Sequence, residues 1–547
     1  MPLPKPLQFN YWYNLKKTNH YKISNMTQNG LSNPQTLASI PEDLWQTIKS
    51  PTREEQIIKY TESNIVFPKA LLPLHLALKE LLYFYEPTKS IFLAAGIMEE
   101  NRNSPEANLF NTVFGRDALV QLQMAAIARQ AYQPLKALFE QNLIDSGYFN
   151  RIKLTMDVLP SNIDYSTVQY LASRQGMDLN ANSEEEWGKI IHEDRDNSDE
   201  IARELNQSRQ WEWPYYGSID ATLEYVVALG QIADKDPEFL NSTYIHHFNG
   251  NTFSYIQSME MAIDCVVNWM QYGLIVYQRL NPKGIEIQSW RDSFDSISTK
   301  ETGEVPNFDK PLALLDLQYP AFEALIIAAK HFSLIQNSRL NSKARLLNRK
   351  AVELREKIFS TFWIDIDENN GYFAKGVQYT RGRMLLFDGV SSSNLRILNS
   401  SIFEGREIYR DRIIKYCYDR LICKYGIRSL SPDSNRYHSS GYHTGNVWLF
   451  DTVLSAVNLA ILGHYDKGID LIQKVENTVQ DTKMYPELVG SVIGYNTMEV
   501  EVLDVQDQTF NKISQPGQPL QGWTVLAYLL GESLKPIWEA KIKAKID

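Results

Sequence analysis

Cysteine is scarce in this chain of 547 residues: Cys265, Cys417 and Cys423 are the only three. So few thiols argue against a disulfide-framed secreted scaffold and fit a reducing compartment. Cys417 and Cys423 lack zinc-site spacing, and His438 and His443 have no third ligand at a familiar interval, so no metal is expected. Sustained clusters of Lys and Arg are missing as well. With 55 basic against 65 acidic residues the net charge is −10, which disfavours nucleic acid as a partner and suits a neutral ligand. No glycine-rich phosphate loop occurs and no cofactor is implied. No apolar run is long enough to span a bilayer, and Met1-Pro2-Leu3-Pro4-Lys5-Pro6 lacks the apolar stretch of a secretory leader. The expectation is a cytoplasmic protein without a membrane partner. Asp365–Gly371 carries its glycine one place too late for an EF-hand and has no glutamate at the twelfth position, so it reads as a solvated turn before a short strand.

What is abundant is apolar and aromatic: 44% of residues are hydrophobic and 12% aromatic, including 11 Trp and 30 Tyr. That is enough to bury a large core. Residues 1–60 are polar and read as a partly irregular extension, followed by one domain over 61–540. There, apolar residues recur at three- and four-residue steps in 70–85, 117–131, 220–232, 259–280, 312–335, 342–362, 408–425, 447–462, 467–479 and 522–530. Strand patterns are few, with 371–374 and 500–503 the clearest. Many long helices without a fixed-period repeat predict an all-α fold closed into an α/α toroid rather than an open solenoid. In such a toroid the interhelical loops at one end form a funnel.

The chemistry-bearing segments are mostly loops or helix starts. Trp290-Arg291-Asp292-Ser293-Phe294-Asp295-Ser296 sets two carboxylates three residues apart beside a tryptophan and an arginine; on a helix they would share one face. Glycoside hydrolysis needs an acid for the leaving oxygen, a second carboxylate for water and an aromatic face for the sugar. Glu487, in Tyr485-Pro486-Glu487-Leu488-Val489-Gly490, is the candidate partner; Glu499 and Glu501 sit on an alternating strand pattern that would turn them to solvent. Arg116 and Asp117 follow Gly115 at a helix entrance, where Asp117 reads as an N-cap or, with Arg116, as a clamp on sugar hydroxyls. Asp220 reads as another N-cap after Trp211, Trp213, Tyr215 and Tyr216, aromatics that either pack locally or wall a sugar subsite. Arg428, His443, Asn446 and Trp448 cluster near a further loop-to-helix junction.

Taken in order, Phe114–Leu119, Pro214–Thr222, Trp290–Ile297, Gly426–Ser431, Tyr442–Trp448, Tyr485–Gly490 and Pro519–Trp523 resemble the glycogen-debranching (amylo-α-1,6-glucosidase) type of glycosidase and its bacterial mannosylglycerate-hydrolase-like relatives. The likeness runs over roughly residues 90–530. It implies an (α/α)6 barrel and an inverting mechanism with one acid and one base carboxylate, acting on a carbohydrate. Glu487 matches the base. Relatives with a Trp-Glu-Ser-Gly-x-Asp form point to Asp295 as the acid, and those with a Trp-x-Asp form point to Asp292; of the two, Asp295 is the favoured candidate. Arg116, Asp117, Asp220, His443, Trp448 and Trp523 match positions lining the terminal-sugar subsite, and Tyr216, Trp290, Arg291, Arg428, Asn446 and Gln521 complete the candidate set. The chain departs from the pattern at Gln521-Gly522-Trp523, at Arg396, at Trp448-Leu449-Phe450-Asp451 and in the run Glu99–Asn108. Those departures keep open a second reading, a glycan-binding or host-interaction protein on a glycosidase scaffold.

Overall fold

The computed structural model describes residues 70–85, 90–97, 112–380, 383–492, 497–503 and 510–546. The expected extension over 1–60 and the run Glu99–Asn108 lie outside these residues, as do the side chains of Glu499 and Glu501. Helices dominate: α1 (Leu74–Leu81), α2 (Gly115–Glu140), α3 (Ser146–Val158), α4 (Ile163–Ala172), α5 (Glu200–Arg209), α6 (Asp220–Lys235), α7 (Tyr255–Asn268), α8 (Leu315–Leu334), α9 (Ser338–Phe362), α10 (Ser393–Arg396), α11 (Ile408–Leu421), α12 (Leu449–Ile461), α13 (Tyr465–Thr482) and α14 (Gly522–Ile546).

Their packing closes a double ring. α2 packs on α6, and α6 on α8. The turn Ser401–Phe403 meets α8, the adjoining short α10 meets α12, α12 meets α14, and α14 returns to α2. Outside this inner ring α7 lies against α6 and α8, α9 against α8, α11 against α10, and α13 against α12 and α14; α1, α3 and α4 cover α2, α6 and α14. This is the all-α toroid that the periodicity predicts, in the (α/α)6 form that the resemblance implies. The two rings differ in residue pattern as their positions require. Outer α9 buries one stripe, Leu340, Ala344, Leu347, Ala351, Leu354, Ile358 and Phe362, whereas inner α8 buries residues on nearly every side. Where α10 is too short to fill its place, Glu323 of α8 reaches across the ring: its carboxylate accepts hydrogen bonds from Ser400 Oγ at 2.7 Å and from Ser401 N at 2.8 Å. Among the described residues no helix is long and apolar enough to cross a membrane.

The inner helices are aligned at their N-termini by main-chain bridges. Val113–Phe114 pairs with Glu193–Asp194 just before α2, Ala313–Leu314 with Gly376–Val377 before α8, Val447–Trp448 with Leu488–Val489 before α12, and Leu520–Gln521 with Gly96–Ile97 before α14. Asp117 and Asp220 do not take the cap positions expected for them. Phe114 and Ile219 occupy the caps, and neither Asp caps its helix with its side chain. Asp117 instead stands third in α2, and Asp220 first in α6.

Other boundaries differ from the periodic reading. Over 70–85 the helix ends at Leu81, and Leu82–Tyr85 pairs as a strand with Ser90–Leu93, aromatic side chains favouring the extended form. Over 259–280, α7 stops at Asn268, because Tyr272 and Gly273 take positive φ (55° and 79°) and fold Met270–Ile275 into a hairpin. The strands foreseen near 371–374 and 500–503 are present as Asn370–Phe373 and Thr497–Leu503.

Gly115 marks how tightly the ring entrance is set. A Cβ there would lie 2.1 Å from the Ile191 carbonyl oxygen. Gly115→Ala should therefore cost about 1–3 kcal/mol through forced backbone movement. Urea denaturation checks this; an unchanged midpoint would show that the 191–194 segment gives way freely.

Candidate active site

The loop ends at the N-terminal side of the inner ring converge on one guanidinium. Arg116, in the first turn of α2, is 6% exposed. Its Nη1 donates to the Ser289 carbonyl at 3.1 Å and its Nη2 to Asp292 Oδ2 at 3.1 Å. Asp117 Oδ2 lies 3.5 Å from Nε and Asp220 Oδ2 3.7 Å from Nη1. Burial pulls the Arg116 pKa down, but Asp220, Asp292 and Asp117 together more than reverse that, so the group stays cationic. Asp292 keeps 27% of its side chain exposed, against 7% for Arg116, Asp117 and Asp220.

Glu487 is placed by the connection between α13 and the Leu488–Val489 strand, and is 2% exposed. Tyr442 Oη donates to its Oε1 at 2.7 Å, and the Gln518 amide donates to its Oε2 at 3.1 Å. Burial pushes its pKa up to about 7, against the lowering effect of those hydrogen bonds, and the Asp292 charge adds to the rise. Asp292 is itself raised, by burial, with Arg116 opposing. The two carboxylates thus feel each other's charge, while their direct partners are different groups. Asp117 and Asp220 are likewise pushed up to about 7 by burial, partly offset by Arg116.

Aromatic rings form the adjoining wall. His443 stacks on Trp448 with ring centroids 5.0 Å apart and planes 4° from parallel. Trp290 meets His443, Trp448 and Phe450 edge-on, and Phe450 lies 4.1 Å from Trp523. Trp448 Nε1 donates to the Tyr442 carbonyl, and Trp523 Nε1 to that of Asp117. His443 Nδ1 shares a hydrogen bond with Ser293 Oγ at 2.9 Å, and burial, with Arg291 and Arg116 nearby, lowers its pKa well below the usual range, leaving the ring neutral. Within this cluster Trp290 Nε1, His443 Nε2 and both Asp220 carboxylate oxygens are buried without a hydrogen-bond partner. Such groups are costly unless a ligand or water completes them.

Not every candidate joins this group. Tyr216 is buried with its hydroxyl on the Arg174 carbonyl, and Trp211 stacks on Tyr215 at 3.8 Å, so this aromatic run packs locally. Arg428 donates to the Ile422 carbonyl and Asn446 to that of Ser440, both bracing loops, and Gln521 accepts from the Trp523 amide in the first turn of α14. Arg291 is buried beneath Trp290, donating to the Ser429 carbonyl and Ser392 Oγ and pairing with Asp316 at 3.3 Å. The acid pair does not share a helix face. Only Phe294–Ser296 forms a 3-10 turn, and the charge of Asp295 acts on Lys375. Tyr442 and the Gln518 amide escaped the sequence reading. Tyr442 had a signal in its place beside His443, but a backbone donor leaves none.

No family profile matches this chain, and no curated protein matches it by sequence. Among solved structures it is similar to a bacterial glucoamylase complexed with acarbose, at 11% identity and a TM-score of 0.45, over 85% of this chain and 55% of that one. A structure described as a wild-type glycosidase is 10% identical, with a TM-score of 0.43, over 90% of this chain and 98% of that one. An uncharacterised conserved protein from Thermus thermophilus is 11% identical, with a TM-score of 0.43, over 67% and 87% of the respective chains. Likeness of this degree is loose and concerns the chain trace alone.

The raised carboxylates have a consequence for stability. A group with a raised folded-state pKa contributes stability that is complete below its unfolded value, about 4.3 for Glu, and lost as pH rises through the folded value. For Glu487 that folded value is about 7. Glu487→Gln should therefore match the wild type near pH 4 and become progressively more stable than it toward pH 8. Denaturant midpoints measured for both proteins across that range test this, and a difference independent of pH would contradict the burial argument.

Proposed function

We propose that this chain is an inverting, exo-acting α-glycosidase of the amylo-α-1,6-glucosidase kind, with Asp292 as general acid and Glu487 as general base. The observation that carries this reading is the convergence of two separately held, upward-shifted carboxylates on an aromatic wall beside the Arg116 guanidinium. Arg116, Asp117 and Asp220 would hold the hydroxyls of the terminal sugar, and Trp290, His443, Trp448 and Trp523 its ring face and edges. Asp220 oxygens, Trp290 Nε1 and His443 Nε2 offer the hydrogen-bonding atoms that a polyol can complete. Asp292 is preferred to Asp295 because its carboxylate faces the same group of residues as Glu487.

In the reaction, protonated Asp292 gives its proton to the glycosidic oxygen as the bond from that oxygen to the anomeric carbon breaks, its electron pair leaving with the aglycone. A water on the opposite face bonds to the anomeric carbon while Glu487 accepts one of its protons. The released sugar has the inverted configuration, and the two carboxylates have exchanged protonation states. Burial favours the acid form of Asp292 needed at the start, against the pull of Arg116, and the rise of Glu487 to about 7 confines its action as a base to neutral or higher pH. The chemistry as written uses no cofactor.

A panel of glucosyl α-1,6 oligosaccharides, trehalose, glucosylglycerate and mannosylglycerate, followed by NMR, tests the assignment. The first anomer released should be β. Asp292→Asn and Glu487→Gln should each slow the best substrate at least about 10²-fold without unfolding the protein. Normal rates in both variants would remove the assignment. Binding of these sugars with no release by the wild type would favour the glycan-binding reading.

A further inference from the structure

The Trp290–Ser296 segment carries one acid more than an acid–base pair needs, and its surroundings suggest what the second one does. Apart from the turn Phe294–Ser296 the segment has no regular structure, so the place of Asp292 depends on what grips its two ends. At the N-terminal end Arg291, 1% exposed, is fixed by the Ser429 carbonyl, Ser392 Oγ and Asp316. Ser296 Oγ closes the segment on itself by donating to the Arg291 carbonyl at 2.6 Å. At the C-terminal end Lys375, 3% exposed, donates from Nζ to the Ser296 carbonyl at 3.0 Å.

Lys375 is itself rigidly mounted. Its carbonyl accepts from the amide of Leu315, the first residue of α8, and its amide donates to the Phe387 carbonyl. Gly389 leaves room for its stem, since a Cβ there would lie 3.3 Å from Lys375 Cε. The charged groups acting on the amine are Arg291, which opposes it, and Asp295, Asp388 and Asp316, which favour it. An amine so buried is expensive to keep: burial, with Arg291 adding to it, outweighs the three carboxylates and pushes its pKa down to about 7. Packing would be served as well by a Leu or a Met.

We infer that Lys375 is a positioning residue for the proposed acid. With Asp295 as its counter-charge, it ties the Ser296 end of the segment to the start of α8 and so holds the Asp292 carboxylate against Arg116. This rests on the reading of Asp292 as the acid. Lys375→Met keeps the stem and removes both the charge and the donor to a buried carbonyl. Asp295→Asn removes the counter-charge, and it carries the test if Lys375→Met does not fold.

In crystal structures of the variants the Arg116–Asp292 hydrogen bond should be lost or lengthened beyond hydrogen-bonding range. With the best substrate of the wild type, kcat should fall about 10-fold or more, as misplacement of a reacting group by an ångström can cost about 10²-fold, while KM changes little. Retention of the Arg116–Asp292 bond together with a wild-type kcat in a folded variant would overturn the inference. If the wild type hydrolyses no glycoside, the glycosidase reading fails on its own, and the position of Asp292 in the variant crystals still decides the role of Lys375.

Discussion

One buried guanidinium organises this end of the barrel. Arg116 brings carboxylates from α2, α6 and the Trp290–Ser296 loop to within 4 Å of a single cation. Without it, Asp117, Asp220 and Asp292 would repel one another in a medium that screens poorly. With it the three stay together, but the compensation is incomplete: Asp117 and Asp220 still hold their protons up to about neutral pH. The N-termini of α2 and α6 help, because the partial positive charge of a helix start favours an acidic side chain in the first turn. A site assembled in this way recruits protons and hydrogen-bond donors, which is what the proposed chemistry and a polyhydroxylated ligand both supply.

Much of the architecture was legible from periodicity, because a helix that lines a barrel and one that covers it need different apolar patterns. Helices α8 and α9 are the clearest case. What periodicity missed is local and has local causes. The hairpin at Tyr272-Gly273 depends on left-handed backbone angles that an apolar count does not register, and the strand at Leu82–Tyr85 depends on a partner outside its own sequence window.

The candidate site was legible in part, and for a different reason. Arg116, Asp117, Asp220, Asp292 and Glu487 stood out as polar residues at loop-to-helix junctions, and the structure places them around a common centre. Tyr216, Arg428, Asn446 and Gln521 looked the same in sequence but form hydrogen bonds with nearby backbone carbonyls or amides. Residue type and spacing cannot separate these two fates; which way the side chain leaves its loop decides them. Asp292 and Asp295 show this most sharply, since three positions along one short segment send one acid to Arg116 and the other toward Lys375.

The paired dipeptides ahead of α2, α8, α12 and α14 have a broader implication. Each junction is joined through amide and carbonyl groups that every residue except proline possesses. The bonds themselves are therefore indifferent to side-chain type, but the space around them is not: a Cβ at Gly96 would lie 1.5 Å from Gln518 Oε1, and one at Gly376 3.1 Å from the Ala313 carbonyl oxygen. Substitution at these junctions is thus limited by volume and not by hydrogen bonding, and the helix starts around Arg116 keep their alignment as long as the small residues stay small.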